Sequence, residues 1–195
     1  MADDCVSKQG KLVVFSAPSG TGKSTVARQV RERIPCLGFS VSATTRPMRP
    51  GEQDGVDYHF LDRIAFEEKI REGGFIEHEF FFGNFYGTLL DKTREAIDSG
   101  RHLLFDIDVK GALNLKRIFG DRALLVFLKP PSMAVLAERL EARQSESAEA
   151  LRIRLERASM ELGYADQFDY VVVNDDLERT VEAVSERISQ FLSHS

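Results

Sequence analysis

The sequence predicts an α/β protein, a parallel sheet flanked by helices. Three observations predict it. Short apolar runs recur along the 195 residues, helical stretches separate them, and a glycine-rich turn joins the first run to the first helix. Runs of this kind, β-branched and aromatic without polar alternation, suit strands buried on both faces.

The first run is KLVVFS (11–16). GKSTVARQVRERI follows as a helix, stopped by Pro35. HLLFDID (102–108) is the second strand, and VKGALNLKRIF is its helix. ALLVFLK (123–129) is the third, ended by Pro130 and Pro131. A helical stretch of about thirty residues begins at Ser132 and is broken near RQSES. YVVVN (170–174) is the fourth strand, and LERTVEAVSERISQFL closes the chain as an amphipathic helix. The segment 40–93 breaks the alternation. It is rich in loops, then carries short aromatic strands in VDYHF and FIEHEFFFGNFYGT, and it reads as an inserted subdomain. Phe80, Phe81 and Phe82 are expected in its core.

Composition excludes several classes. A hydrophobic content of 43% with 29% charged residues suits a globular domain with a real core. The net charge of −5 argues against broad nucleic-acid binding. Cys5 and Cys36 make neither a disulfide framework nor a metal spacing, so reduced thiols and a cytoplasmic location are expected. No apolar run is long enough to span a membrane, and MADDCVSKQG is not a signal peptide.

The chemistry begins at SAPSGTGKST (16–25). A phosphate-binding loop needs glycine, four residues, then Gly-Lys-Ser/Thr, between a strand and a helix. Gly22, Lys23 and Ser24 fit, Gly20 adds backbone freedom, and Ala17, Pro18, Ser19, Thr21 and Thr25 complete the loop. Backbone N–H groups and the helix N-terminus favour an anion. Lys23 would reach the outer phosphates of ATP or GTP, and the Ser24 hydroxyl would ligate Mg²⁺. Ala17 stands where glycine is usual; a first position with positive φ would strain it by about 1 kcal/mol or more. The competing reading is a plain glycine-rich turn.

SATTRPMRPGEQDGVDY places Arg46 and Arg49 three apart in a proline-stiffened loop. Two guanidinium forks so close suit a phosphate, with Tyr58 as a further donor. Pairing with Glu52 and Asp54 in a solvated loop is the alternative. In FIEHEFFFGNFYGT, Glu77 is a carboxylate among apolar residues and needs a partner. Gly83 and Gly87 allow close approach of the backbone to a ligand, and Tyr86 stands with Glu77 as a candidate. Asp106 and Asp108 end an apolar strand, where open α/β sheets bind ligands, and period-two spacing puts them on one side. Metal coordination, in part through water, and a helix N-cap at Asp108 are both open. Arg139, Arg143 and Arg154 lie on a helical segment, either as a solvated face paired with Glu or as a lid that lowers arginines onto a transferring phosphate.

Together the motifs SAPSGTGKST, VSATTRPMRPGE, DGVDYHF, FIEH, GNFYGT, DIDVKGA and YVVVNDDL resemble the guanylate kinase family from about Lys11 to Leu192. The resemblance implies a P-loop NTPase-like parallel sheet, an inserted GMP-binding subdomain and a helical lid. It puts the core at about 1–39, 94–136 and 160–195, the subdomain at 40–93 and the lid at 137–159. It implies transfer of the ATP γ-phosphoryl group to GMP, and to dGMP, with Mg²⁺. By motif position Arg46, Arg49, Tyr58 and Tyr86 would hold the GMP phosphate, and Ser42, Glu77 and Thr88 would read guanine. Asp106 and Asp108 would serve the ribose and the metal–water network, and Arg139, Arg143 and Arg154 would come from the lid. Lys23, Arg46 and the three lid arginines form the expected catalytic set. Small-molecule partners are expected, with a monomer or homodimer.

The base chemistry agrees. One carboxylate can accept both guanine N1–H and its exocyclic amine, whereas adenine presents an acceptor at N1. Four departures stand out: Ala17, which also occurs in the family, Thr88 in place of a frequent serine, Phe85 in place of a tyrosine, and EARQSES, where glycines commonly flank the arginine. Two rivals remain. A guanylate-kinase-like protein-binding module without catalysis is disfavoured by the intact Lys23, Ser24, Arg46 and Arg49. A kinase for another nucleoside monophosphate is disfavoured by Glu77 with Ser42.

Overall fold

A computed structural model describes residues 9–142 and 148–193. The central sheet is parallel and five-stranded, in the order β2-β7-β1-β8-β9. Its strands are β1 (Leu12–Ser16), β2 (Leu37–Phe39), β7 (His102–Asp106), β8 (Ala123–Lys129) and β9 (Tyr170–Val173). The four expected runs are β1, β7, β8 and β9. β2 was not expected. LGF is too short to carry a pattern of its own, and its strand character comes from pairing with β7.

Strand β1 lies mid-sheet and every residue in it is buried. Val13 and Phe15 face a cluster built with helices α1 (Lys23–Arg33) and α7 (Leu177–Ser193). Leu12 and Val14 face the opposite cluster, built with α4 (Val109–Phe119). An unbroken apolar run therefore serves two cores at once. Full burial of each such side chain contributes about 1.5–3 kcal/mol. Helix α1 ends before Pro35, as expected.

A second sheet of four strands, in the order β4-β3-β6-β5, lies between β2 and β7 in the chain. It comprises β3 (Ala43–Thr44), β4 (His59–Phe60), β5 (Phe75–Phe81) and β6 (Asn84–Leu89). Helix α2 (Arg63–Arg71) packs on it, capped by the Asp62 carboxylate, which accepts from the Ala65 N–H at 2.8 Å. Helix α3 (Leu90–Asp98) leads back to β7. Neither helix was expected. Their core is small: Ala43, Phe66, Phe75 and Leu89, with Phe66 stacked on Phe75 at 4.2 Å and on Phe85 at 5.3 Å.

Phe80, Phe81 and Phe82 are not in that core. They are 56%, 54% and 87% exposed toward the tip of the β5–β6 hairpin, where Phe80 touches the margin of the small cluster through Phe85 at 4.9 Å. The two-residue turn at Phe82 and Gly83 has φ of 46° and 79°, and such hairpin turns need positive φ at both positions. The expected break near RQSES, with Arg143, lies outside the described residues. Helices α5 (Met133–Glu141) and α6 (Ala148–Leu162) stand on either side of it. Among the described residues, no helix is long and apolar enough to cross a membrane.

Candidate active site

The phosphate loop leaves the carboxyl end of β1 and enters α1 at Lys23. Its turn is tight: the Thr21 N–H donates to the Pro18 carbonyl at 3.1 Å. Gly22 caps α1 with φ of 95°, and a Cβ there would lie 2.8 Å from Asn174 Nδ2. No side chain caps α1 and no acid lies in its first turn, which leaves N–H groups facing the loop. Ala17 is buried with an ordinary negative φ, so the departure from glycine brings no strain. Ser19 and Thr25 are exposed.

Lys23 Nζ forms an ion pair with Asp106 Oδ1 and donates to the Ile107 carbonyl at 3.4 Å. Ser24 Oγ donates to Asp106 Oδ2, also at 3.4 Å. One carboxylate at the end of β7 thus holds both Lys23 and Ser24, the loop side chains expected to meet phosphate and metal. Asp108 behaves differently. The strand ends at Asp106, and Asp108 caps α4, accepting from the Gly111 N–H at 2.8 Å. Its charge acts on Glu77, so the two aspartates have different neighbours.

Glu77 is placed by a bulge. Strand alternation sends Phe75 to the small core and Ile76 to the main one, and the β5–β6 register shift between Phe75 and Glu77 sets Phe75 opposite Leu89 but Glu77 opposite the adjacent Thr88. Glu77 then pairs across to Thr88, whose hydroxyl donates to Glu77 Oε1 at 2.6 Å. The register that pairs Ala43 with Gly87 brings Ser42, one residue before β3, level with Thr88. Burial pushes the Glu77 carboxyl up. The Thr88 bond partly opposes this, and Asp108 and Glu79 push it further up. Glu77 and Asp108 line a cleft of about 470 Å³ along β5 and α4; neither Lys23 nor Arg46 lines it. Gly111 permits this arrangement, because a Cβ there would lie 2.8 Å from Glu77 Cγ.

Arg46 stands in the loop after β3. Its guanidinium lies over the rings of Tyr58 and Phe60, at 5.3 and 5.7 Å. Tyr58 and Tyr86 meet edge to face at 6.2 Å. Arg46, Tyr58 and Tyr86 therefore come together. So does Glu52, the loop carboxylate of the alternative reading, paired with Arg46 at 2.7 Å. That bond raises the Arg46 pKa and lowers that of Glu52. Asp54 does not join; it accepts from the Phe60 N–H. The Arg49 side chain is exposed.

Arg139, in the last turn of α5, reaches the Asn174 carbonyl through both terminal nitrogens at 3.4 Å. Arg154 lies half-buried on α6, and Arg143 lies outside the described residues. Sequence reasoning missed Asn174. Its buried amide donates to the Thr21 carbonyl at 2.7 Å, clasping the phosphate loop from the end of β9. A polar residue closing the apolar run YVVVN was the available signal.

Comparison with known proteins agrees with this architecture. The family model described as guanylate kinase matches residues 9–191. A guanylate kinase of Chlorobaculum tepidum is 73% identical over 192 residues, covering 98% of both chains. One from Chlorobium luteolum is 66% identical, covering 99% of this chain and 98% of its own. The crystal structure of guanylate kinase from Anaplasma phagocytophilum superposes with a TM-score of 0.70 at 32% identity, covering 98% of this chain and 91% of that one. With the model spanning nearly the whole length and relatives this close, the chain belongs to the guanylate kinase family.

Proposed function

We propose that the protein transfers the γ-phosphoryl group of ATP to GMP, and also to dGMP, giving ADP and the nucleoside diphosphate. One observation carries the reading. A phosphate loop at the carboxyl edge of the parallel sheet stands apart from a half-buried carboxylate, Glu77, bonded to Thr88 on a second sheet.

The loop from Ala17 to Thr25 takes the ATP phosphates. Its N–H groups and the α1 terminus cradle them, and Lys23 leaves Asp106 for the outer phosphates. The oxygens of Ser24 and Asp106 suit a hard cation such as Mg²⁺. Among the described residues no group of three or more His, Cys, Asp or Glu could hold a metal. That fits an ion bound mainly by phosphate and water, with Ser24 as its protein ligand. When bound, such an ion neutralises charge on the transferring phosphate.

The acceptor lies on the 40–93 subdomain. Glu77, ionised, accepts guanine N1–H and the exocyclic amine; Thr88 and Ser42 complete the base contacts. Adenine would set its N1 acceptor against the half-buried carboxylate in place of a donor, and sites of this kind reject the wrong partner by about 10⁴ or more. Arg46, Arg49, Tyr58 and Tyr86 hold the phosphate, and Asp108 holds the ribose. No general base is needed, because the attacking phosphate oxygen is already largely ionised near neutral pH, with a second pKa of about 6. Positioning and charge neutralisation carry the rate. Arg139, Arg143 and Arg154 complete the charge around the transferring group from the 137–159 lid. A coupled ADP-release assay across GMP, dGMP, AMP, CMP and UMP tests this. GMP and dGMP should turn over far faster than the rest; comparable turnover of AMP would refute the guanine assignment.

A further inference from the structure

The acceptor-side arginine is already held by an anion of the chain's own. Arg46 gives one terminal nitrogen to Glu52 Oε1 at 2.7 Å and the other to the Pro47 carbonyl at 2.8 Å. The second oxygen of the same carboxylate accepts the backbone N–H of Arg49 at 2.7 Å, and the Glu52 N–H closes back on the Arg49 carbonyl at 3.1 Å. Glu52 is therefore bonded at once to the side chain of one arginine and the backbone of the other. The side chains of Arg46 and Glu52 are only 12% and 19% exposed, so water competes weakly for this pair. The planes of Tyr58 and Phe60 fix the remaining freedom of the guanidinium. A fork held on an edge and a face keeps its unused N–H groups aimed in one direction, so less ordering remains when a phosphate arrives.

We propose that Glu52 is a positioning residue for the acceptor's phosphate: it pre-forms the two-arginine loop before the nucleotide binds. The proposal rests on the reading of Arg46 and Arg49 as phosphate ligands. Glu52 touches no substrate atom, and its effect passes through Arg46 and the turn at Arg49. Its charge opposes the incoming phosphate, so the two contributions have opposite signs. Pre-organisation dominates here because the carboxylate is already neutralised by its own bonds to Arg46 and to the Arg49 N–H.

The test compares Glu52→Ala and Glu52→Gln with the parent protein, by calorimetry with GMP, guanosine and ATP and by steady-state kinetics. Glu52→Ala should weaken GMP binding roughly tenfold, the scale of ordering one long side chain. Guanosine, which lacks the phosphate, should bind as it does to the parent, and so should ATP. Glu52→Gln keeps an acceptor oxygen for Arg49 and should lie between. The KM for GMP should rise more than kcat falls. Unchanged or tighter GMP binding in Glu52→Ala would overturn the proposal by showing that Glu52 only competes with the phosphate. An equal loss for guanosine would also overturn it, because Glu52 would then merely support the small sheet. If Glu52→Ala fails to fold, Glu52→Gln is read alone by the same GMP-against-guanosine difference. A parent protein that does not turn over GMP at all would instead refute the function from which the proposal starts.

Discussion

The loop around Lys23 and the loop around Arg46 each present a cation paired to a carboxylate, yet they are built differently. Asp106 reaches Lys23 from a separate strand of the main sheet, and Ser16, Ala17 and Thr21 beside it are buried. Glu52 reaches Arg46 from only six residues along, and residues 47–51 are exposed. The first loop is fixed by tertiary structure: two cores meet at β1, and Asn174 clasps Thr21 from 153 residues away. The second is fixed by its own chain and stands on a core of four buried side chains. The difference teaches that the Lys23 site is rigid by construction, whereas the Arg46 site is locally ordered on a sheet that can open at lower free energy than the main core.

The largest effect should come from the rigid site. Lys23→Ala should lower kcat by about 10²–10³, the usual consequence of losing one preorganised charge at a transferring group. The thermal midpoint should fall modestly, because Asp106 loses its cation but keeps the Ser24 hydroxyl. An unchanged rate in the folded variant would make the loop structural.

Phe66→Ala strikes the small core instead. Loss of a fully buried ring costs about 3–5 kcal/mol. Amide exchange should quicken in β3, β5 and β6 while β1, β7 and β8 keep their protection, and the KM for GMP should rise. Equal loss of protection in both sheets would show a single cooperative unit and break the contrast.

The same contrast explains what the sequence made legible. SAPSGTGKST is contiguous and its chemistry local, so the loop, its strand and its helix are readable without a partner, and so are β7, β8 and β9. β2 is not, because three residues become a strand only by pairing with β7. The phenylalanines at 80–82 look like core by composition, but a hairpin that outruns its cluster leaves them largely exposed. Asn174 and Gly111 matter through contacts across the fold, at the Thr21 carbonyl and at Glu77, which no local pattern encodes. Glu77 stands out in sequence as a carboxylate among apolar residues; its pairing with Thr88 depends on the bulge at Phe75–Glu77.

A smaller effect should appear with pH. Glu77 must be ionised to accept two guanine donors, and burial raises its pKa in the free protein. Guanosine binding should therefore weaken as pH falls through that raised value, by about tenfold per unit once below it, starting above the ordinary carboxylate range near about 4.3. Guanosine is the right probe because it carries no titrating phosphate. Thr88→Val removes the bond that holds the pKa down and should move the onset to higher pH. Binding that stays flat through and below the ordinary carboxylate range would exclude Glu77 as the base reader.

The smallest effect should be at the hairpin tip. Phe82→Gly relieves positive φ at a residue 87% exposed, so it loses little burial. The gain should not exceed about 1 kcal/mol, since glycine also loosens the unfolded chain. A drop in the thermal midpoint would mean that the edge-to-face contact of Phe82 with the Phe81 ring, at 4.3 Å, outweighs the relief of backbone strain.

Calorimetry of ATP and GMP on Lys23→Ala and Arg46→Lys tests the central claim most directly, that two phosphate sites stand on two separately built loops. Arg46→Lys keeps the charge but loses the planar fork. The account predicts a crossover: Lys23→Ala loses ATP affinity and keeps GMP, and Arg46→Lys loses GMP affinity and keeps ATP. If, with the fold intact, each variant lost both nucleotides to the same extent, the two loops would form one site and the account would be wrong.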